Sequence, residues 1–440
     1  MLRVEWQRWS SREIWLTSSV DQLASMIAHS FNINPVGHPK MLGRTYDLKS
    51  AYKQFPLAPG DRSLLRIAVN CPSSPTAKLM GANVLPFGAV GSVSGFLRIS
   101  MAVWYVGLKG LSIYWSAFYD DFSVVTSTSL ENSTAWACES LFKLLGLKFA
   151  EDGPKCQPFS SSFKMLGVVM DLSKASSLRV DIGHTPERSK ELAEIIHGHL
   201  QAGTISSKEA ERLRGRMIFF EGFAFGRVAC SAVKSLGRCV DLKRHCIHLD
   251  KDMLGNLEFL KNRVQNAVPI RIGPKLHQPW IIFSDGSSEP EEGTGAIGGV
   301  LVNPSGHCQH FFSSPVPSHC IQSLLKNSGN PIYELEIFPL IVCLELWGDL
   351  LKDSPVVHYI DNDAAKASMI KGYGATDVSN KLVEHYVELE ERLQLKVWFS
   401  RVPSFSNLSD GPSRNDCSEV LAMGASQTIF KWERFEHLLL

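Results

Sequence analysis

The chain has 440 residues, 44% of them hydrophobic, enough for two or three domains with real cores. Lys and Arg total 45 against 44 Asp and Glu, a formal charge of +1, so any nucleic-acid partner has to be met by local basic patches rather than a global field. No apolar run is long and charge-free enough to span a bilayer, and the opening MLRVEWQRWSSREIW has no apolar signal core, which argues against a membrane partner and predicts an intracellular protein, cytoplasmic or nuclear.

Residues 1–43 form a weakly patterned N-terminal segment in which Val20 to Phe31 has helical apolar spacing and 34–40 reads as a loop. Over 44–183 the pattern predicts an α+β arrangement, an antiparallel sheet backed by helices. Asp47 ends a short strand. Leu64 to Val69 and Lys78 to Leu85 flank a Pro/Ser-rich loop as a hairpin, and a small-residue helix runs from Ala89. Ile113 to Tyr119 and Phe122 to Val125 are β-rich runs separated by Asp120-Asp121, which also fits a plain hairpin tip. Glu131 to Leu145 is an amphipathic helix closed by Gly146, and LKFAEDGPKCQPF and FKMLGVVMDL read as short strands and turns.

Residues 184–275 change to helical character, TPERSKELAEIIHGHL and then SSKEAERLRGRMIFFEGFAFGRVACSAVKSL. Residues 185–275 carry sixteen Lys/Arg against ten Asp/Glu, and Arg212, Arg214 and Arg216 alternate with Leu213 and Gly215. Such a segment can track a phosphate backbone, though a solvated helix face has the same composition. Residues 276–415 reverse the balance, with seventeen Asp/Glu against nine Lys/Arg. A strand from Trp280 to Phe283 runs into Asp285, and Ala296 to Val302 forms a second strand. Residues 303–331 read as irregular, Ile332 to Leu351 as a long helix with Glu336 near its start, and Val356 to Ile360 as a strand ending at Asp361. Helices from Ala364 and across Lys381 to Leu393 lead to a strand at Lys396 to Phe399, and Asp410 sits in a loop or helix start. The tail 416–440 reads as a short packed helix. Ten cysteines lack paired metal-ligand spacing; His245, Cys246 and His248 cluster without a second pair, so the cysteines read as reduced thiols.

The motifs at 44–172 resemble a reverse transcriptase palm of retroelements of the DIRS-like, gypsy-like and caulimovirus type. YDLKSAYKQFPL resembles the motif whose Asp binds metal (Asp47), LPFGAVGSVSGFLR the template- and nucleotide-supporting motif, and AFYDDF the YxDD motif with Asp120 and Asp121. LKFAEDGPKCQPF and FKMLGVVMDL follow in the order expected near a primer grip. Residues 280–414 resemble an RNase H domain. SDGS supplies Asp285, YELEIFPL Glu336 with Glu334 as rival, YIDNDAA Asp361 with Asp363 as rival, and NLSDGPSR Asp410. RLRGRMIFFEGFAFGR is similar to the thumb-connection segment of such elements, and polymerase before RNase H is their usual order.

The resemblance implies a polymerase palm, a helical thumb or connection and an α/β RNase H-like domain. It implies RNA-directed DNA synthesis on an RNA template and DNA primer from deoxynucleoside triphosphates, and cleavage of the RNA strand of an RNA–DNA hybrid. Each site would use two Mg²⁺ (or Mn²⁺) about 4 Å apart held by carboxylates. Tyr52 would exclude the ribose 2′ hydroxyl, with Phe87, Gly88 and Lys155 also on the nucleotide, and Arg212, Arg214 and Arg216 on nucleic acid. Two departures stand out. Phe118 replaces the Tyr of YxDD, and only about forty residues precede the first motif. Arg3, Arg8, Arg12, Lys40 and Arg44 are available there to hold a triphosphate but are unpatterned, so weak synthesis is expected.

Overall fold

The computed structural model describes residues 20–34, 38–63, 65–70, 76–224, 227–274, 278–289, 291–328 and 330–440. Arg3, Arg8, Arg12 and the middle of the loop at 34–40 lie outside them. The fold is mixed α/β and divides into two compact units, 1–185 with 268–274 and 186–267 with 275–440. Among the described residues no helix is long and apolar enough to cross a membrane.

In the first unit, α1 (Val20–Ile33) turns Val20, Leu23, Ile27 and Phe31 inward at helical spacing. There follow β1 (Met41–Asp47), a 3₁₀ turn at Ala51–Gln54, and the antiparallel hairpin of β2 (Arg66–Val69) and β3 (Lys78–Gly81). The hairpin strand stops at Gly81 instead of reaching Leu85, and Val84 keeps only an isolated bridge to Pro56. Next come α2 (Val90–Gly110), β4 (Trp115–Phe118), β5 (Asp121–Ser127) and α3 (Glu131–Leu144). The sheet order β1-β5-β4 is antiparallel throughout, with Tyr46 opposite Phe122 and Asp47 opposite Asp121. Tyr46, Trp115 and Phe122 face a core shared with Phe142 and Phe149. LKFAEDGPKCQPF forms no strand; Phe149 only bridges Leu48, because Gly153 and Pro154 break the run. β6 (Ser162–Met165), β7 (Val168–Asp171) and β8 (Val180–His184) begin a second antiparallel sheet.

The second unit opens with a helical part: α4 (Pro186–Ala202), β9 (Thr204–Ile205), α5 (Ser207–Ala224), α6 (Cys230–Asp241), β10 (Ile247–His248) and α7 (Lys251–Gln265). The stretch from Ser206 to Leu236, expected as one helical run, is two helices, and the helix over Lys251–Gln265 is a further one capped by Asp250. Leu192, Ile196, Leu213, Met217, Leu236, Leu257 and Leu260 make their common core. The chain then returns to the first unit, where β11 (Ile270–Ile272) completes the sheet order β11-β8-β7-β6.

The rest of the second unit is built on a six-stranded sheet, with strands β12 (Trp280–Glu289), β13 (Thr294–Val302), β14 (Cys308–Pro315), β15 (Pro355–Ile360), β16 (Lys396–Arg401) and, near the C-terminus, β17 (Ser426–Gln427). The order is β16-β15-β12-β13-β14-β17. β12, β13 and β14 form an antiparallel meander, whereas β15 and β16 add in parallel through helical crossovers. The helices are α8 (Ser318–Ser328), α9 (Ile332–Leu351), α10 (Asp363–Lys371), α11 (Asp377–Arg392), α12 (Asp410–Ser413) and α13 (Ser418–Ala422). Residues 303–331 are therefore not irregular, since they hold β14 and α8. Pro317 stands at the helix entry, its carbonyl accepting from Cys320 and Ile321. The tail supplies a sheet strand and the short helix α13, and its aromatic, Leu-rich end, expected as a helix, holds two 3₁₀ turns, Trp432–Arg434 and Glu436–Leu438. Within this unit Arg227 ties the helical part to the sheet part. It donates to the Met369 carbonyl at 2.8 Å, pairs with Glu390, and lies 4.6 Å from the Phe399 ring centre.

Two glycines decide how close the helices come to the sheet. A Cβ on Gly286 would overlap the Leu335 carbonyl of α9 and sit 3.1 Å from the Glu336 nitrogen. On β13, Gly298 stands opposite Asp285, and a Cβ there would lie 2.5 Å from the Ser413 nitrogen of α12. Backbone cannot give way as a flexible side chain can. Gly286→Ala is expected to destabilise the second unit by about 1–3 kcal/mol or more, read as a lower midpoint for its transition in denaturant unfolding, with the transition of the first unit unmoved.

Candidate active sites

In the first unit alternation sets the geometry. Tyr46 and Phe122 point into the core, so Thr45 and Asp47 on β1 and Asp121 and Ser123 on β5 share the other face. Thr45 and Ser123 hydroxyls meet at 2.9 Å, and one step along the same ladder Asp47 faces Asp121. Asp120 lies in the two-residue turn beside Tyr119, which is held at φ 52°, a strained value for a bulky residue. Ser100 Oγ donates to the Tyr119 carbonyl at 2.7 Å and the Leu48 N–H to the Asp120 carbonyl at 3.0 Å, which pins the turn to α2 and to the end of β1.

Burial, then the charges of Asp120 and Asp47, push Asp121 up to about 7. Asp120 is also raised, mainly by burial. Lys155 Nζ sits 2.6 Å from Asp47 Oδ2, and that hydrogen bond raises the lysine. Asp47, Asp120 and Asp121 do not bring one oxygen each within 4.8 Å of one another, the spacing reached in the second unit. Asp47 is engaged by both Asp121, through a side-chain hydrogen bond that raises Asp121, and Lys155.

Two clefts of about 400 and 720 Å³ meet at Tyr52, Phe87 and Asp120; Gly88 and Asp121 line the first, and Asp47 and Lys155 the second. Tyr52 is stacked on Phe96 at 4.7 Å and edge-on to Phe87, which is itself exposed. Lys155, which the resemblance places on the nucleotide, lines the second cleft and is paired with Asp47.

In the second unit four elements converge. β12 and β15 pair in register from Trp280 opposite Val356 to Phe283 opposite Tyr359, and continuing that register sets Asp285 level with Asp361. Asp285 is inside a strand rather than beyond its end, because β12 stays paired with β13 as far as Glu289. The α9 backbone resting on Gly286 delivers Glu336. Asp285, Glu336 and Asp361 each place an oxygen within 4.8 Å of the others. Burial, then repulsion from Asp285 and Asp361, pushes Glu336 up to about 9; burial also pushes Asp285 up to about 7. Glu336 Oε2 is buried with no hydrogen-bond partner. An orphan carboxylate oxygen among carboxylates offers hard oxygen donors to a divalent cation, so these residues fit Mg²⁺ or Mn²⁺.

The rival acids turn away. Glu334 accepts from Thr376 Oγ1 at 2.8 Å, and Asp363 is exposed and paired with Lys366 and Arg401. Asp410 begins α12 and pairs with Arg414 at 3.2 Å, outside the tight trio though close enough for its charge to raise Asp285. Sequence reasoning missed Ser413, whose hydroxyl donates to Asp285 Oδ2, and His358, which is fully buried between Ser284 Oγ at 3.0 Å and the Tyr386 hydroxyl. No local signal marks Ser413, since its partner is 128 residues away. The three arginines of α5 do not form one stripe. Arg212 and Arg216 lie about 40° apart around the helix and Arg214 about 160° from both. Arg216 is paired with Glu191 at 2.9 Å and Arg214 lies against Gly237.

The chain matches no protein-family model and no curated protein. Among solved structures it is similar to a foamy viral protease-reverse transcriptase. With RNA/DNA hybrid, identity is 15% and TM-score 0.45 over 88% of this chain and 46% of that one. With dsDNA they are 15% and 0.41 over 85% and 70%, and for the dRH form with ds DNA 14% and 0.43 over 85% and 59%. The chain thus spans 46% and 59% of the length of two of these three.

The acid trio gives a pH signature. A carboxyl raised on folding holds its proton more tightly in the folded state, so stability falls as pH rises from 4.5 towards about 9, the two Glu336 values. In chelator, the second unit is expected to lose stability across that window. Glu336→Gln should flatten the slope, and Mg²⁺ should restore stability to wild type but not to the variant, as read by unfolding at stepped pH.

Proposed function

We propose that this chain is a retroelement RNA-directed DNA polymerase joined to an RNase H. The observation that carries the proposal is the close trio Asp285, Glu336 and Asp361, whose mutual repulsion a bound cation would relieve. The motif order and the facing of Asp47 with Asp121 extend the reading to the first unit, as its palm.

Bound divalent cations would supply, at each site, a Lewis acid for the phosphate and an activated oxygen nucleophile. The chain does the rest. Asp285, Glu336 and Asp361 present hard oxygen donors, and Ser413 fixes the rotamer of Asp285. Arg414 draws the Asp410 carboxylate aside, leaving it on the rim, where it can meet the scissile strand. In the palm, Asp47 and Asp121 supply donors from one sheet face, and Tyr52 forms a flat wall against the deoxyribose. Asp47 serves only once Lys155 releases it. The RNA template, DNA primer and hybrid would be held by shape and by phosphate contacts.

A second reading, nuclease alone, is favoured by the hydrogen bond between Lys155 and Asp47 and by the looser spacing of the palm acids. Primer extension on an RNA template separates the two. Under the first reading wild type extends and Asp120→Asn falls to background; under the second neither extends.

The nuclease is tested separately, with Mg²⁺ or Mn²⁺ and an RNA–DNA hybrid labelled on the RNA. Asp361→Asn is expected to abolish cleavage while Asp363→Asn stays within a few-fold of wild type. The reverse pattern would show that Asp363 fills the role. No cleavage by wild type would remove the nuclease from both readings.

A further inference from the structure

The tail meets α8 at a second group of potential ligands. His319 and Cys320 occupy the first turn of α8, and Glu436 lies in the 3₁₀ turn Glu436–Leu438. One ligand atom from each lies within 4.8 Å of the other two, with His319 Nε2 3.1 Å from Glu436 Oε2. Neighbouring packing fixes both backbones. Cys320 is fully buried in the main core of the unit, and Phe435 and Leu439, on either side of the 3₁₀ turn, are buried in the same core. His319 and Glu436 open to solvent, which gives an entry path and room for a water.

We infer that His319, Cys320 and Glu436 form a zinc site that fastens the C-terminal turn to α8. An ion pair accounts for the histidine and the glutamate alone; the thiol completes a nitrogen, sulfur and oxygen set. Mg²⁺ disfavours sulfur, whereas Zn²⁺ takes all three donors in tetrahedral geometry, the fourth position going to water. Tetrahedral zinc spaces its donors about 3.3–3.8 Å apart, so the group closes with side-chain shifts on the order of 1 Å and no backbone change. Binding would release the Cys320 thiol proton to solvent. The other sequence cluster, His245, Cys246 and His248, brings no such three atoms together.

The test uses the full chain stripped of metal and titrated with Co²⁺ alone, a zinc surrogate whose thiolate ligation gives a near-ultraviolet charge-transfer band. Wild type is expected to show a saturable band whose intensity corresponds to one thiolate-bound cobalt per chain and which Zn²⁺ bleaches. Cys320→Ser should lose it, and the surface changes His319→Asn and Glu436→Gln should weaken binding at least tenfold with the fold retained by circular dichroism. Cys246→Ser and Glu336→Gln should leave it unchanged. No band in wild type, a band lost in Cys246→Ser, or full affinity in both His319→Asn and Glu436→Gln would overturn the inference. If Cys320→Ser fails to fold, the two surface variants decide.

Discussion

The second unit depends on backbone laid against backbone where α9 crosses β12 at Gly286. No side chain separates Leu335 from the strand, so Glu336 is brought down among Asp285 and Asp361. Gly298 does the same for α12 and seats Ser413 on Asp285. The tight approach buries apolar surface around Leu335, Ile337 and Phe338 and at the same time strips water from the Asp285 and Glu336 carboxylates. The first effect is favourable and the second is not. The raised Glu336 and Asp285 record that conflict. A site of this kind sits on a rigid frame that would be more stable without it.

The first unit handles its acids differently. Asp47 and Asp121 are set by ladder register alone, with no helix pressed onto them, and an exposed lysine neutralises one of them. Its strain is in the backbone, at Tyr119, and is held by hydrogen bonds from Ser100 and Leu48 to the turn. One unit therefore gathers its acids under a helix with Glu336 and Asp285 raised by burial, and the other sets a raised Asp121 beside an Asp47–Lys155 ion pair and a strained turn.

Much of this was legible in the sequence where the cause is local. The β-branched and aromatic runs on either side of Asp120-Asp121 give both strands, although the turn falls on Tyr119-Asp120 and Asp121 opens β5, and the strand ending at Asp361 follows from Val356 to Ile360. The choice of Glu336 over Glu334 was not legible. The two lie about 160° apart around the helix, and what decides which of them faces the strand is where α9 meets Gly286, far away in sequence. β14 and α8 were hidden by prolines that end one element and start the next. The tail strand β17 was hidden because a two-residue strand has no period to detect. Arginines spaced two apart look like a patch in sequence and lie on opposite sides of a helix.

The strand order also says something about when the acid cluster comes into being. Asp285 belongs to the β12–β14 meander, whose contacts are close in sequence, whereas Asp361 arrives with β15, which pairs in parallel only after α8 and α9 have been laid down. Short-range pairing is the faster event. The meander can form with one isolated carboxylate, and the repulsion is met only as β15 docks. A cation bound between those strands would then hold together a contact formed late, slowing escape from the native state and leaving the speed of folding nearly unchanged. Cation dependence confined to the unfolding limb of a chevron is the kinetic mark of that order, and dependence on the folding limb would reverse it.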